Sequence, residues 1–403
     1  MQLQELLKNS FVLSIAEMLL KLAKLISFVV IANVYSVEYL GMFNYIVSFL
    51  LIFYIIGELG INTYITCEQS KLKNFPDTNI LAIGIFKIVS VFIIFIFAYF
   101  IYIILGKNNE LILVLVAVLI FSDTILTLVY SFYRAANKFK YEFYFKSIQA
   151  FIYAFISFWM YHYSSAGFES FISLLALLNI TLAIYSLYKL TNFRLSVKNS
   201  IEYIKENFIN HLGHILPIFL ATVFTTFYFR IDILMLESMV GIQSVGYYSV
   251  AYKLIEGAMV LPLMLGVVFL PKLSNKRKNV KQDLLLHFVL GLAIFIAFYF
   301  TIPYIIDILF SDNYILSIKT AQILSYSIVI MSVNTYMFNY FIATKNSYIN
   351  VKIAFLMLIL NFILNYQFIP LYGMEAAAYS TVATEILGMF GLIFYIRRYY
   401  VNN

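Results

Sequence analysis

Long apolar runs separated by short polar or basic breaks are the dominant pattern along the chain. A helix that crosses a bilayer needs about 20 mostly apolar residues. That ruler fits twelve segments, at 11–33, 40–62, 80–105, 111–133, 143–163, 168–190, 213–237, 246–270, 284–309, 320–344, 349–369 and 375–396. The tightest breaks are Tyr161-His162-Tyr163-Ser164-Ser165-Ala166-Gly167, between the fifth and sixth, and Pro370-Leu371-Tyr372-Gly373, between the last two. The first run carries Lys21 and Lys24 and no small-residue cleavage pattern follows it, so it reads as a retained span rather than a signal peptide. The pattern predicts an all-α polytopic membrane protein of about twelve transmembrane helices.

Composition narrows the function classes. Of 403 residues, 63% are hydrophobic and 12% charged, with a mean hydropathy of +0.90. Soluble domains run at roughly 45–50% apolar and about 25% charged. A soluble enzyme, a nucleic-acid binder and a disordered chain are therefore excluded, despite the net charge of +7. The single cysteine, Cys67, excludes an internal disulfide and a Cys-rich metal site.

The distribution of charge sets the orientation. With twelve spans, twenty of the 27 Lys and Arg fall on the side of the termini, among them Arg134, Lys138, Lys140, Lys146 and the 272–281 cluster. Lys107 and Lys319 alone fall on the other side, and five lie within spans. The positive-inside rule then places both termini in the cytoplasm.

The chain also repeats itself. Leu40-Gly41-Met42-Phe43-Asn44-Tyr45 opens the second span, and Val245-Gly246-Tyr247-Tyr248-Ser249-Val250 opens the eighth in the same context. Asp77 and Gln282 stand before the third and ninth spans at the same offset. Gly167-Phe168-Glu169 and Gly373-Met374-Glu375 precede the sixth and twelfth at nearly that offset. An interval of about half the chain predicts two six-helix halves, 1–190 and 213–403, joined by a cytoplasmic linker at 191–212. Halves in the same orientation, related by an axis along the membrane normal, are a known transporter plan with the substrate path between them.

Eleven charged residues fall within spans: Lys21, Lys24, Lys87, Arg230, Lys253, Glu17, Glu58, Asp123, Asp232, Glu256 and Glu385. Each costs about 3 kcal/mol at a helix centre, or on the order of 30 kcal/mol if all faced lipid, beyond a stability of about 5–15 kcal/mol. They must face the interior, a watery cavity or one another. Glu17, Lys21 and Lys24 recur at helical spacing on one stripe of the first span. Glu17 offsets one lysine, expected to be Lys21, and leaves one cation over. Thr222, Thr226, Arg230 and Glu237 form a similar stripe on the seventh span, while Asp232 points elsewhere. Lys253 and Glu256 share a face of the eighth span at the depth of Arg230. Glu58 and Lys87 are expected to form a buried ion pair. Lys21, Lys24, Arg230 and Lys253 are the candidate ligand-binding residues. Glu17, Asp123, Asp232, Glu256 and Glu385 are candidates for ion pairing or for coupling transport to an ion.

Other chemistry is missing from the sequence. It has no Gly-rich loop ending in Lys-Ser/Thr, no Gly-x-Ser-x-Gly and no His-Glu-x-x-His, so P-loop nucleotide hydrolysis, for one, is not expected. His211 and His214 have no further ligand near them in sequence and read as interfacial polar residues. Pro217, Pro262 and Pro303 fall inside spans, where each removes a helix hydrogen bond.

Tyr39-Leu40-Gly41-Met42-Phe43-Asn44-Tyr45 with Gly57-Glu58-Leu59-Gly60-Ile61-Asn62 resembles the start of bacterial O-antigen and capsule repeat-unit flippases, of the multidrug/oligosaccharidyl-lipid/polysaccharide exporter superfamily. Tyr133-Arg134-Ala135-Ala136-Asn137-Lys138-Phe139-Lys140-Tyr141 is similar to their basic segment after the fourth helix. Arg230-Ile231-Asp232, Val245 to Ala251 and Pro271-Lys272-Leu273-Ser274 resemble their seventh and eighth helices, and Pro370 to Ala378 their Pro-x-x-Gly-x-x-Gly-Ala-Ala motif. The resemblance implies two six-helix lobes forming a V around a cationic cavity. It also implies a flippase, not an enzyme, that moves undecaprenyl-pyrophosphate-linked oligosaccharide from the cytoplasmic to the periplasmic leaflet of the bacterial inner membrane. No cofactor and no nucleic acid is expected. The expected partners are the lipid-linked oligosaccharide, the phospholipid bilayer, a polysaccharide polymerase and a chain-length regulator. The alternatives are an ion-coupled multidrug exporter of the same fold, whose pocket should be acidic, and a membrane-embedded polymerase or glycosyltransferase, which should carry large outer loops.

Overall fold

The computed structural model describes residues 2–69, 77–163, 167–190, 209–265, 280–344 and 346–401. Among them no strand occurs. The helices are α1 (Gln2–Val34), α2 (Val37–Glu58), α3 (Ile61–Gln69), α4 (Thr78–Ile104), α5 (Glu110–Ala135), α6 (Phe139–His162) and α7 (Phe168–Leu190). They continue as α8 (Ile209–Met239), α9 (Ile242–Ala258), α10 (Val280–Leu309), α11 (Ser317–Ala343) and α12 (Ser347–Val401). The linker is outside the described residues up to 208, as is the 271–274 motif, and the side chains of His211 and His214 are outside them too.

Each expected span falls on these helices as far as it is described, the second running on into α3, the eighth lying outside the described residues from 266, and α12 carrying the last two. Eight of the described helices are long and apolar enough to cross a membrane on length and composition alone. α12 is not one continuous rod. Gly373 has φ 58° and ψ −138°, a left-handed conformation that strains any residue with a Cβ, and the helix turns there into two arms. Pro262 explains the end of α9. It has no N–H to give the Ala258 carbonyl, so α9 stops at Ala258 and the chain becomes helical again at 260–265. The short α3 is an addition to the expected spans. Its nine residues reach about 13 Å, less than half a bilayer core, so it does not cross.

The chain divides into two compact units. The first contains residues 1–35 and 50–216. In it α1 lies along α6 and α5 along α7. Small residues let the α1–α6 pair approach closely: Ala16 and Ala23 are buried, and the Ser27 and Ser157 hydroxyls meet at 2.7 Å. Side chains of α3, α4, α5 and α7, including Tyr64, Leu126, Phe132 and Ala183, form its core.

The second unit contains residues 36–49 and 217–403. α11 lies at its centre, packed against α9, α10 and α12, with Tyr336, Phe341, Ile349 and Leu392 in the core. The start of α2 belongs to this unit and meets α9 in a reciprocal contact. A Cβ on Gly41 would overlap the Ile242 carbonyl, and a Cβ on Gly246 would overlap the Val37 carbonyl. Gln243 Nε2 donates to Glu38 Oε1 at 2.7 Å, across an interval of 205 residues. The same interval separates Val37 from Ile242, Gly41 from Gly246, Val34 from Met239 and Ile104 from Leu309. The two helix starts are thus repeat-related and meet self-complementarily, as copies do across a two-fold axis. Glycine at both positions permits the close backbone approach.

Candidate functional site

α1 presents three faces. Ile15, Met18, Leu19, Leu22 and Ile26 are exposed apolar residues on one arc. Ala16, Leu20, Ala23, Ser27 and Ile31 are buried on the next. Glu17, Lys21 and Lys24 occupy the third, roughly 140° round from the exposed apolar arc at about 100° per residue. The charged stripe is therefore accessible on a face other than the one suited to lipid. Along the helix, Lys24 and Lys21 lie roughly 15–20 Å from the end at Val34 by the 1.5 Å rise per residue.

A network of charges backs this stripe. Lys24 Nζ donates to Asp123 Oδ2 at 2.8 Å and sits 5.3 Å from the centre of the Tyr153 ring. Asp123 Oδ1 accepts a 2.6 Å bond from Gln149 Nε2. Gln149 also donates to Asn179 Oδ1 at 3.1 Å and accepts from the Tyr130 hydroxyl at 3.3 Å. Lys146 binds both Glu17, at 2.7 Å, and Glu142, at 2.9 Å, and Glu142 takes a second cation, Arg134, at 2.6 Å. Four cations, Lys21, Lys24, Arg134 and Lys146, therefore face three carboxylates, Glu17, Asp123 and Glu142. Lys21 is exposed, and among the described residues no ion pair or hydrogen bond holds its ammonium. This reverses the expected pairing: Glu17 is engaged by Lys146, Lys24 has Asp123, and Lys21 is the surplus charge.

Glu58 and Lys87 are likewise not a direct ion pair. The Glu58 carboxylate accepts the backbone N–H groups of Gly60 and Asn62, both at 2.9 Å, and so caps the start of α3. Lys87, fully buried, donates to Asn62 Oδ1 at 2.9 Å. Asn62 joins the two charges, each satisfied separately. Their role is to fix the α2–α3 turn, where Leu59 and Gly60 both have positive φ.

In the second unit Arg230, Lys253 and Glu256 converge. Glu256 accepts from Lys253 at 2.9 Å and lies 3.7 Å from the Arg230 guanidinium. Two cations share that carboxylate, and all three side chains are between 24% and 36% exposed. Asp232, on another face of α8, is buried without a cation beside it. Its oxygens accept from Asn365 at 2.6 Å, Tyr248 at 2.7 Å and Thr381 at 2.9 Å. Asn365 Oδ1 and Asn361 Nδ2 in the same cluster have no hydrogen-bond partner. One carboxylate among amide and hydroxyl oxygens can hold a proton or a small hard cation. Glu385 is buried against Asn334, which donates to it at 2.7 Å. Among the described residues no three His, Cys, Asp or Glu side chains group as a metal site.

The sequence stripe on α1 and the Arg230–Lys253–Glu256 group are therefore each brought together. Lys146, Glu142, Gln149, Asn361 and Asn365 were missed. Lys146 counts as a cytoplasmic cation by position, yet it is buried on α6. The signals available were the i, i+4 spacings of Glu142 with Lys146 and of Asn361 with Asn365.

The model of the family described as polysaccharide biosynthesis protein matches residues 6–277. The capsular polysaccharide biosynthesis protein CapF of Staphylococcus aureus is 22% identical over 411 residues, which cover 98% of this chain and 100% of CapF. Among solved structures, the lipid II flippase MurJ in an inward closed conformation superposes with a TM-score of 0.72 at 18% identity, covering 95% of this chain and 87% of MurJ. A multidrug resistance MATE family transporter of the MOP superfamily, inward-facing, also gives 0.72, at 13% identity and 97% and 98% coverage. At these identities the structures establish a shared fold. With the family match over two thirds of its length, the chain is a multi-pass membrane protein of the polysaccharide biosynthesis protein family, with the fold of the MOP-superfamily transporters.

Proposed function

We propose that the chain is a flippase that carries pyrophosphate-linked, polyprenyl-anchored oligosaccharide, a capsule or O-antigen repeat unit, from the cytoplasmic to the outer leaflet of the bacterial inner membrane. It works by alternating access of its two repeat-related halves, 1–190 and 213–403, with both termini cytoplasmic. Lys21 and Lys24 receive the pyrophosphate, and Arg230 with Lys253 contacts the sugar or phosphate portion. The observation that carries this reading is the accessible charged face of α1, where one exposed lysine, Lys21, is in no salt bridge among the described residues. A pyrophosphate carries at least two negative charges, and its attraction to cations in a low-dielectric cavity offsets the stripping of water from the head group. Lysine supplies a mobile point charge rather than the rigid fork of arginine, which suits a ligand that must be released. A carrier of cationic drugs would instead need a surplus of carboxylates on that face. A polymerase and a chain-length regulator are the partners this role calls for.

The test is complementation of a flippase-null strain. Lys21→Ala with Lys24→Ala should abolish polymer at normal protein levels, with lipid-linked repeat units accumulating in the inner leaflet. Normal polymer in the double variant would place the anion site elsewhere. Asp232, buried among hydroxyl and amide groups, is the coupling site in this scheme. Asp232→Asn should leave cargo binding intact while removing the dependence of transport on the driving ion gradient, measured in proteoliposomes with Na⁺ and H⁺ gradients imposed separately.

A further inference from the structure

We propose that Asp123 is an internal competitor for the anionic head group: it occupies Lys24 when cargo is absent and opposes the bound charge, so that the site empties. The inference rests on the reading of Lys21 and Lys24 as the anion site. Three observations carry it. The Lys24–Asp123 pair is not sealed in the core, since the two side chains remain 36% and 32% exposed. A pair built only for stability has no need of that access. Asp123 is also positioned independently of Lys24. Its second oxygen is held at 2.6 Å by Gln149, itself 1% exposed and fixed by Asn179 and Tyr130. When Lys24 turns to another anion, Asp123 keeps a strong hydrogen bond and stays in place. Finally, the neighbouring carboxylate, Glu17, is already engaged by Lys146, so Asp123 is the carboxylate that contends for Lys24.

The physical consequence follows from like-charge repulsion. Whether a phosphate displaces Asp123 or settles beside it, the carboxylate weakens binding, while Lys21, in no salt bridge among the described residues, adds attraction. Lys21 thus recruits the anion and the Lys24–Asp123 pair limits how long it stays. Gln149 is a positioning residue in this device, and Asp123 the group that sets affinity.

The experiment measures binding of farnesyl pyrophosphate, with farnesol as the uncharged control, to the purified full chain in lipid nanodiscs. Asp123→Asn should bind farnesyl pyrophosphate about tenfold more tightly, a change of about 1.4 kcal/mol, leave farnesol binding unaltered and slow transport. In a Lys24→Ala background the same substitution should give a much smaller gain, since only the repulsion of the bound charge is then relieved. Gln149→Leu should act in the opposite direction, weakening binding, because a displaced Asp123 would then be left without its second partner. Gln149→Leu carries the test if Asp123→Asn does not accumulate as folded protein. If Lys24→Ala weakens binding but Asp123→Asn does not tighten it, or if the full gain persists without Lys24, the competitor role is overturned and the anion site stands. If Lys21→Ala and Lys24→Ala both bind like the wild type, the anion site itself falls, and this inference with it.

Discussion

Two lysines one turn apart on α1 and a third on α6 have different tasks, and their surroundings decide which. Lys146 is 7% exposed and holds Glu17 and the fully buried Glu142. Removing one partner from a buried charge cluster costs about 3–5 kcal/mol because the remaining charge stays in a poor solvent. Lys146→Ala should therefore deplete the protein from the membrane, as read by immunoblot, before any transport defect can be assigned. Lys21→Ala removes an exposed charge that is in no salt bridge among the described residues, and should leave protein levels unchanged while transport falls at least about tenfold, the effect of about 1.4 kcal/mol. Equal depletion of both variants would mean that Lys21 is structural. The stripe of Glu17, Lys21 and Lys24 was legible from spacing alone, since residues three and four apart share a helix face. Which lysine each carboxylate takes was not. That depends on what α5 and α6 present to α1, and the decisive partner, Lys146, sits just inside the start of the fifth span, where it was counted with the cytoplasmic cations.

The helices themselves were legible because bilayer thickness imposes a length that soluble folds do not. The two glycines that the sequence aligned at a 205-residue offset, Gly41 and Gly246, meet at the α2–α9 contact, where glycine permits close backbone approach. What the pattern could not give was α3, too short and too mixed to register as a span, or Asn62 within it, the bridge between Glu58 and Lys87. At this scale the reciprocal α2–α9 contact makes a direct prediction. With Cys67→Ser as background, Glu38→Cys paired with Gln243→Cys should cross-link efficiently with a short bifunctional maleimide, since the native side chains meet at 2.7 Å. Gly246→Leu should reduce that cross-link severalfold, because its side chain would occupy the position of the Val37 carbonyl. Unchanged cross-linking in Gly246→Leu would show that the helix starts have room to spare.

For the whole molecule, the question is how many times the chain crosses the membrane, and α12 decides it. Its 55 residues are two helical stretches that meet at Gly373, and an unbroken helix of that length would reach about 80 Å, more than twice a bilayer core of about 30 Å. The break at Gly373 turns it into two crossings. Counting two arms gives an even number of spans and puts Arg397 and Arg398 on the same side as Lys138 and Lys140. Counting one would leave that pair on the opposite side and break the twenty-to-two partition of cations that the positive-inside rule requires. α3 does not disturb the parity, being too short to cross. In intact cells, an impermeant maleimide applied from outside should therefore leave the native Cys67 unlabelled. In a Cys67→Ser background it should leave Arg398→Cys unlabelled as well, while Lys107→Cys and Lys319→Cys react. Lysis should expose Cys67 and Arg398→Cys to the reagent. Labelling of Arg398→Cys from outside, with Cys67 still protected, would mean that the arms of α12 cross only once. Labelling of Cys67 itself would invert the whole chain and move the proposed point of cargo entry to the other leaflet.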